Sequence, residues 1–161
     1  MSIRVLAALG AAALSSGCSL FGAASACADL PGTVAVTVAS RGATHLFCAE
    51  LADTADEQAQ GLKFRTDLKP DGGMLFAPYP AEGGGAREAG FWMKDTPTSL
   101  DILFVRADGS IARVAADTVP FSEDIVPSGE PVAAVLEIVG GRAAALGIAA
   151  GDKVSWARPR G

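Results

Sequence analysis

Five charged side chains stand within or at the ends of otherwise apolar runs: Arg65 in GLKFR, Lys94 and Asp95 in FWMKD, Asp101 in LDILF and Glu137 in VLEIV. An ion in such surroundings is costly unless it is paired or put to use. Three chemistries fit the set. Arg65 or Lys94 could hold Asp101 or Glu137 in structural ion pairs. The charges could instead floor a ligand pocket walled by Phe91, Trp92 and Met93. Alternatively, Asp101 and Glu137 could act as paired carboxylates, one acid and one base, in a small hydrolase of the cell envelope. The functional reading taken forward is a non-catalytic binding or accessory module for a small polar or cell-envelope ligand, with Arg65, Phe91, Trp92, Met93, Lys94, Asp95, Asp101 and Glu137 as candidate contacts; the hydrolase is the alternative.

Other chemistries find less support. Lys94 as a nucleophile needs a lowered pKa, and the adjacent Asp95 favours the charged form. A Ser-His-Asp arrangement has only His45 to use, and Ser99, Ser110, Ser122 and Ser128 lack a nucleophile-elbow context. Met74, Met93, Cys48 and His45 are soft ligands for Cu(I), yet methionine between aromatic residues is ordinarily core filler. The Gly83–Gly85 run is not followed by the Lys-Ser/Thr of a phosphate loop. No catalytic residue, metal ligand or cofactor is therefore assigned.

The elements that must position these residues are short strands. Thr33–Ser40 alternates valine with small or hydroxylated residues, and Arg41-Gly42 turns it into Thr44–Ala52. Thr54-Ala55-Asp56-Glu57 matches a capping box and predicts a helix to about Leu62. Met74–Phe76 is a brief strand, and Ala81–Gly90 is read as a mobile glycine-rich loop. Phe91–Lys94, Leu100–Arg106 and Ser110–Ala115 follow, the last two joined by a turn at Asp108-Gly109. Alternation along Leu100–Arg106 puts Asp101 with Leu103 and Val105 and predicts that it is half-buried. Pro131–Val139 is a strand, Arg142–Leu146 a helical turn ended by Gly147, and Lys153–Arg158 the last strand. Eight short, mostly antiparallel strands with two small helices describe a mainly β domain, a sandwich or open barrel.

Residues 1–28 read as an export segment: Arg4, then an apolar run from Val5 to Leu14. Two cut sites compete, a lipobox-like Ser15-Ser16-Gly17-Cys18 directly after the apolar run and Ala26-Cys27-Ala28 further on. Lipidation at Cys18 would tether the domain to a membrane facing the periplasm, and Cys27 would remain free to pair with Cys48 in an oxidising compartment. The second cut leaves Cys48 alone. Residues 29–161 form a single domain, expected as a periplasmic monomer. With Arg4 set aside from the 13 Lys+Arg, 12 basic side chains face 18 Asp+Glu, a formal charge of −6. Such a domain is a poor binder of phosphate backbones, so nucleic acid is not an expected partner. Beyond the N-terminus no apolar run approaches the ~20 residues that span a bilayer.

Gly61-Leu62-Lys63-Phe64-Arg65, Gly73–Phe76, Phe91–Thr96, Leu100–Phe104, Val135-Leu136-Glu137, Leu146-Gly147-Ile148 and Gly151-Asp152 occur in an order and spacing that resembles the uncharacterised family catalogued as domain of unknown function 192, over Thr33 to Trp156. The resemblance implies a small, mostly β and often exported domain, and it implies no reaction. Two positions depart from the family's usual pattern: Lys63 stands where methionine is usual, and Asp95 where asparagine is usual. The loop at Gly83–Gly85 also looks longer.

Overall fold

The computed structural model describes Cys27 and residues 30–157. Apart from Cys27, the export segment with Cys18 and Ala28, and the end of the last predicted strand, lie outside these residues.

Among the described residues, nine strands and two short helices follow one another as β1 (Thr33–Ser40), β2 (Ala43–Ala52), α1 (Ala55–Gln60), β3 (Gly72–Phe76), β4 (Arg87–Phe91), β5 (Leu100–Val105), β6 (Ile111–Ala115), β7 (Val126–Val132), β8 (Ala134–Val139), α2 (Arg142–Leu146) and β9 (Lys153–Trp156). Seven form one sheet in the order β6-β5-β8-β3-β2-β1-β9. Only β2 and β3 run parallel, and the connection between them carries α1. The sheet curls until its edges approach. Ile111 N donates to Asp152 O at 2.8 Å and Val154 N to Gly109 O at 2.8 Å. Gly109 makes that approach possible: its φ is 82°, and a Cβ would stand 2.9 Å from the Val154 carbonyl.

Curling creates an inner and an outer apolar face. Val36, Val38, Phe47, Leu75, Leu103, Leu136, Ile138 and Val154 fill the inside. Met74, Phe76, Leu100, Ile102, Phe104 and Val135 point outward from β3, β5 and β8. A second, two-stranded sheet of β4 and β7 contributes Ala89 and Val132 to this outer cluster, with Leu62 and Met93 beside them. Strand β5 is therefore buried along its whole length, as expected of a strand covered on both sides.

The mainly β class and both helices agree with the sequence, but four assignments need correction. Arg87–Gly90 belongs to strand β4 rather than to a loop, and Trp92–Lys94 joins the turn at Asp95-Thr96 rather than a strand. Strand β7 was not foreseen because its sequence, VPSGEPV, carries two prolines and a glycine. Proline is tolerated there because β7 pairs with β4 alone, leaving one edge free of ladder bonds. The Pro131–Val139 run also divides at Ala133, where the chain passes from the small sheet to the large one; Ala133 N donates to Val105 O at 2.8 Å.

Candidate ligand cleft

Strands β5 and β8 pair so that Asp101 lies opposite Ile138 and Ile102 opposite Glu137. Side chains alternate across a sheet, so the two carboxylates project to opposite faces. Asp101 turns inward and is fully buried, not half-buried. Its Oδ1 accepts from Asp117 N at 2.8 Å and Gly141 N at 2.9 Å, and Oδ2 accepts from Ala143 N at 2.7 Å. Helix α2 begins at a glycine, which has no side chain to cap it, and Asp101 supplies the missing acceptor from another strand. This carboxylate is saturated by the backbone, and its place in a ligand site or a carboxylate pair is withdrawn.

Glu137 turns outward, beside Met74 of β3 and Ile102 of β5. It is 4% exposed, and no hydrogen-bond donor among the described residues reaches its carboxyl. Desolvation raises its pKa to about 8. The side chain lines a cleft of about 390 Å³ bounded by α1, the Gly61–Lys63 segment, Tyr79, β4 and the turn bearing Trp92, Lys94 and Thr96.

That turn is held from several sides. Met93 N donates to Ser122 O at 2.9 Å and Thr96 N to Met93 O at 3.0 Å, while Thr118 Oγ1 donates to Met93 Sδ at 3.1 Å. Met93 is thus buried core, 1% exposed, and not a pocket wall. Trp92 is 43% exposed and carries Lys94 Nζ over its ring at 5.4 Å. Phe91 packs edge-on against Phe76, with centroids 5.1 Å apart, and lies 5.7 Å from Tyr79. Asp95 has φ 57°, and asparagine and aspartate are the non-glycine residues that tolerate this conformation best. Aspartate in place of the family's usual asparagine therefore preserves the backbone role, and the Asp95 carbonyl accepts from Phe64 N at 2.7 Å.

The expected ion pairs are replaced by others. Arg65 does not meet Asp101 or Glu137: its Nη1 donates to Glu50 Oε1 at 2.8 Å, and its Nε and Nη2 engage Asp67 at 2.7 and 3.2 Å. Hydrogen bonding to Asp67, then to Glu50, raises the guanidinium's pKa further. These residues line a larger hollow of about 720 Å³ on the other side of Lys63, but its central cation is already satisfied. Lys94 pairs loosely with Glu123 at 3.6 Å.

Sequence reasoning missed Lys63, Tyr79, Arg87 and Thr96 as cleft residues, because they converge from segments with no common motif. It also missed Phe64 and Phe121, which are 71% and 63% exposed at φ 63° and 61°. Bulky residues in the left-handed region are strained, and no local sequence signal marks them. Phe121 N donates to Thr96 O at 3.1 Å, so both phenylalanines flank the Trp92–Thr96 turn.

The family model of DUF192 (Uncharacterized ACR, COG1430) matches residues 36–156. A crystal structure of a protein of unknown function from Novosphingobium aromaticivorans is 47% identical, with a TM-score of 0.72 over 77% of this chain and 85% of that one. A Sinorhizobium meliloti protein described as a "putative transcription regulator" is 38% identical, with a TM-score of 0.71 over 77% of this chain and 93% of that one. Comparison with curated proteins finds no match. With three-quarters of its length covered by the family model and a shared fold in two relatives, this chain belongs to the DUF192 family.

Proposed function

We propose that this protein is an exported binding module whose cleft between α1 and the Trp92–Thr96 turn holds a small polar ligand of the cell envelope. The observation that carries the reading is the carboxyl of Glu137, buried at the cleft and without a donor among the described residues. Buried polar groups are almost always satisfied, and a group left open toward a cleft is a place for a ligand to supply the partner. Trp92 offers an exposed ring beside it, and Lys94 a cation at the mouth. This arrangement suits recognition better than hydrolysis, since Asp101, the other candidate carboxylate, is engaged by three backbone amides on the opposite face. The name of the Sinorhizobium relative does not bear on this reading, since an acidic domain is ill suited to a phosphate backbone.

Export is part of the same proposal. Cys27 and Cys48 form a disulfide with Cα atoms 5.4 Å apart, a bond at home in an oxidising compartment. Cleavage after Ala28 would discard Cys27, whereas cleavage before Cys18 keeps it, so the disulfide favours the lipid-anchored form. Mass spectrometry of the mature N-terminus tests this: a diacylated Cys18 is expected, and a chain starting at Asp29 contradicts it.

The binding reading is tested by fluorescence in a Trp156→Phe background, which leaves Trp92 as the only tryptophan. Titration with envelope sugars and short peptides is expected to shift Trp92 emission, and Lys94→Ala to weaken the response without lowering the melting temperature. No response from any of them, in protein that melts cooperatively, contradicts the proposal.

A further inference from the structure

The charges around the cleft bear on what its occupant must carry. Glu137 is the buried acid there, and the nearby cations are engaged elsewhere. Lys94 Nζ lies 3.6 Å from Glu123, Arg87 lies 3.5 Å from Glu82, and Lys63 Nζ donates to Ala59 O at 2.9 Å. Among the described residues, no cation therefore neutralises Glu137. The other groups close to it on its own face of the sheet are apolar, Met74 from β3 and Ile102 from β5. The charged groups that share the cleft are Lys63 after α1, Lys94 in the turn, and Glu82 and Arg87 at and before β4.

A carboxylate in such surroundings gains most from a donor that is itself charged. The walls favour the same kind of group, since Phe76, Tyr79, Phe91 and Trp92 line the cleft and aromatic faces attract cations. At the mouth the balance reverses: Lys63, Arg87 and Lys94 outnumber Glu82. The exposed Lys94–Glu123 pair is of the kind that contributes little, so Lys94 is free to turn to an anion.

Resting on the reading of this cleft as a binding site, we propose that its occupant is a small amino-carboxylate, with a primary ammonium docked on Glu137 among the aromatic rings and a carboxylate meeting Lys94 and Lys63 at the mouth. The proton balance is definite. Burial holds the pKa of Glu137 near about 8, so at neutral pH the carboxyl releases its proton to solvent as the ammonium docks. Affinity therefore climbs as pH rises and levels off once Glu137 is ionised.

Isothermal titration of the mature protein with 4-aminobutyrate, butylammonium and butyrate tests this. The account expects 4-aminobutyrate to bind most tightly, butylammonium less so and butyrate not at all. Affinity for 4-aminobutyrate should rise about tenfold from pH 6 to pH 7 and flatten above about pH 8. Glu137→Gln, nearly the same shape, should lose that slope and at least about tenfold in affinity near pH 8. Lys94→Ala should weaken 4-aminobutyrate but not butylammonium. Butyrate binding as well as the amines, a slope that survives Glu137→Gln, or amines that do not bind would each overturn the inference. In the last case, a sugar or peptide that still shifts Trp92 emission leaves the cleft a binding site and removes only the amine; failure of those ligands as well removes both readings.

Discussion

Two carboxylates sit on neighbouring strands of one sheet, both on buried residues, and they have opposite surroundings. Asp101, on the inner face, accepts three backbone N–H bonds and caps a helix that starts at glycine. Glu137, on the outer face, is bounded by Met74, Ile102 and a cleft, and meets no donor among the described residues. Burial of a charge does not by itself mark a functional site. The inventory of partners does: one acid is consumed by the fold, and the other remains available to a ligand.

The largest effect that should separate them is on stability. Asp101→Ala strips the acceptor from three backbone amides, one buried and two part-buried, and leaves a cavity on the inner face; it is expected to cost about 5 kcal/mol in urea unfolding, and a cost under about 1 kcal/mol would break the assignment of Asp101 to the fold. Glu137 should act through pH instead. Its pKa rises from the model-compound 4.5 to about 8 in the folded protein, so the folded state holds the proton more tightly than the unfolded one. The stability this confers is complete below about pH 4.5 and is lost as pH rises to about 8, up to about 5 kcal/mol in all. Unfolding curves of Glu137→Gln should lack that loss.

Gly73 joins the two faces more subtly. A Cβ there would stand 2.2 Å from the Glu137 carbonyl oxygen, so Gly73→Ala should force β3 and β8 apart at the cleft and cost about 2–3 kcal/mol by thermal melting. A smaller effect is expected at the helix that walls the cleft. Thr54 Oγ1 accepts from Glu57 N at 3.3 Å, and Thr54 N donates to Glu57 Oε2 at 3.1 Å; Thr54→Ala should cost about 1 kcal/mol.

That capping box was legible because its signal is local, four residues long. The Asp108-Gly109 turn and the Gly147 helix stop were legible for the same reason. Strands β4 and β7 were not. The first has a glycine and small residues, the second two prolines, and both are strands only because each is the other's sole partner. The alternation of Leu100–Arg106 placed Asp101 with Leu103 and Val105, as found. That β8 lies beside β5, and that Glu137 therefore faces the opposite side from Asp101, depends on a pairing between distant segments that no single strand's pattern contains. Of the candidate contacts, Phe91, Trp92, Lys94 and Glu137 converge on one cleft. Arg65, Met93 and Asp101 were singled out because their charge or aromatic company looked costly or purposeful, and the fold answers each with a partner or a place in the core.

The contrast between the two acids is tested most directly by NMR titration of the side-chain carboxyl carbons, with Glu137 assigned by the resonance missing from Glu137→Gln. A midpoint near about 8 for Glu137 is the expected result. A midpoint in the ordinary carboxylate range, near about 4.3, would mean that a partner or water already meets this carboxyl, and would contradict the account of the cleft.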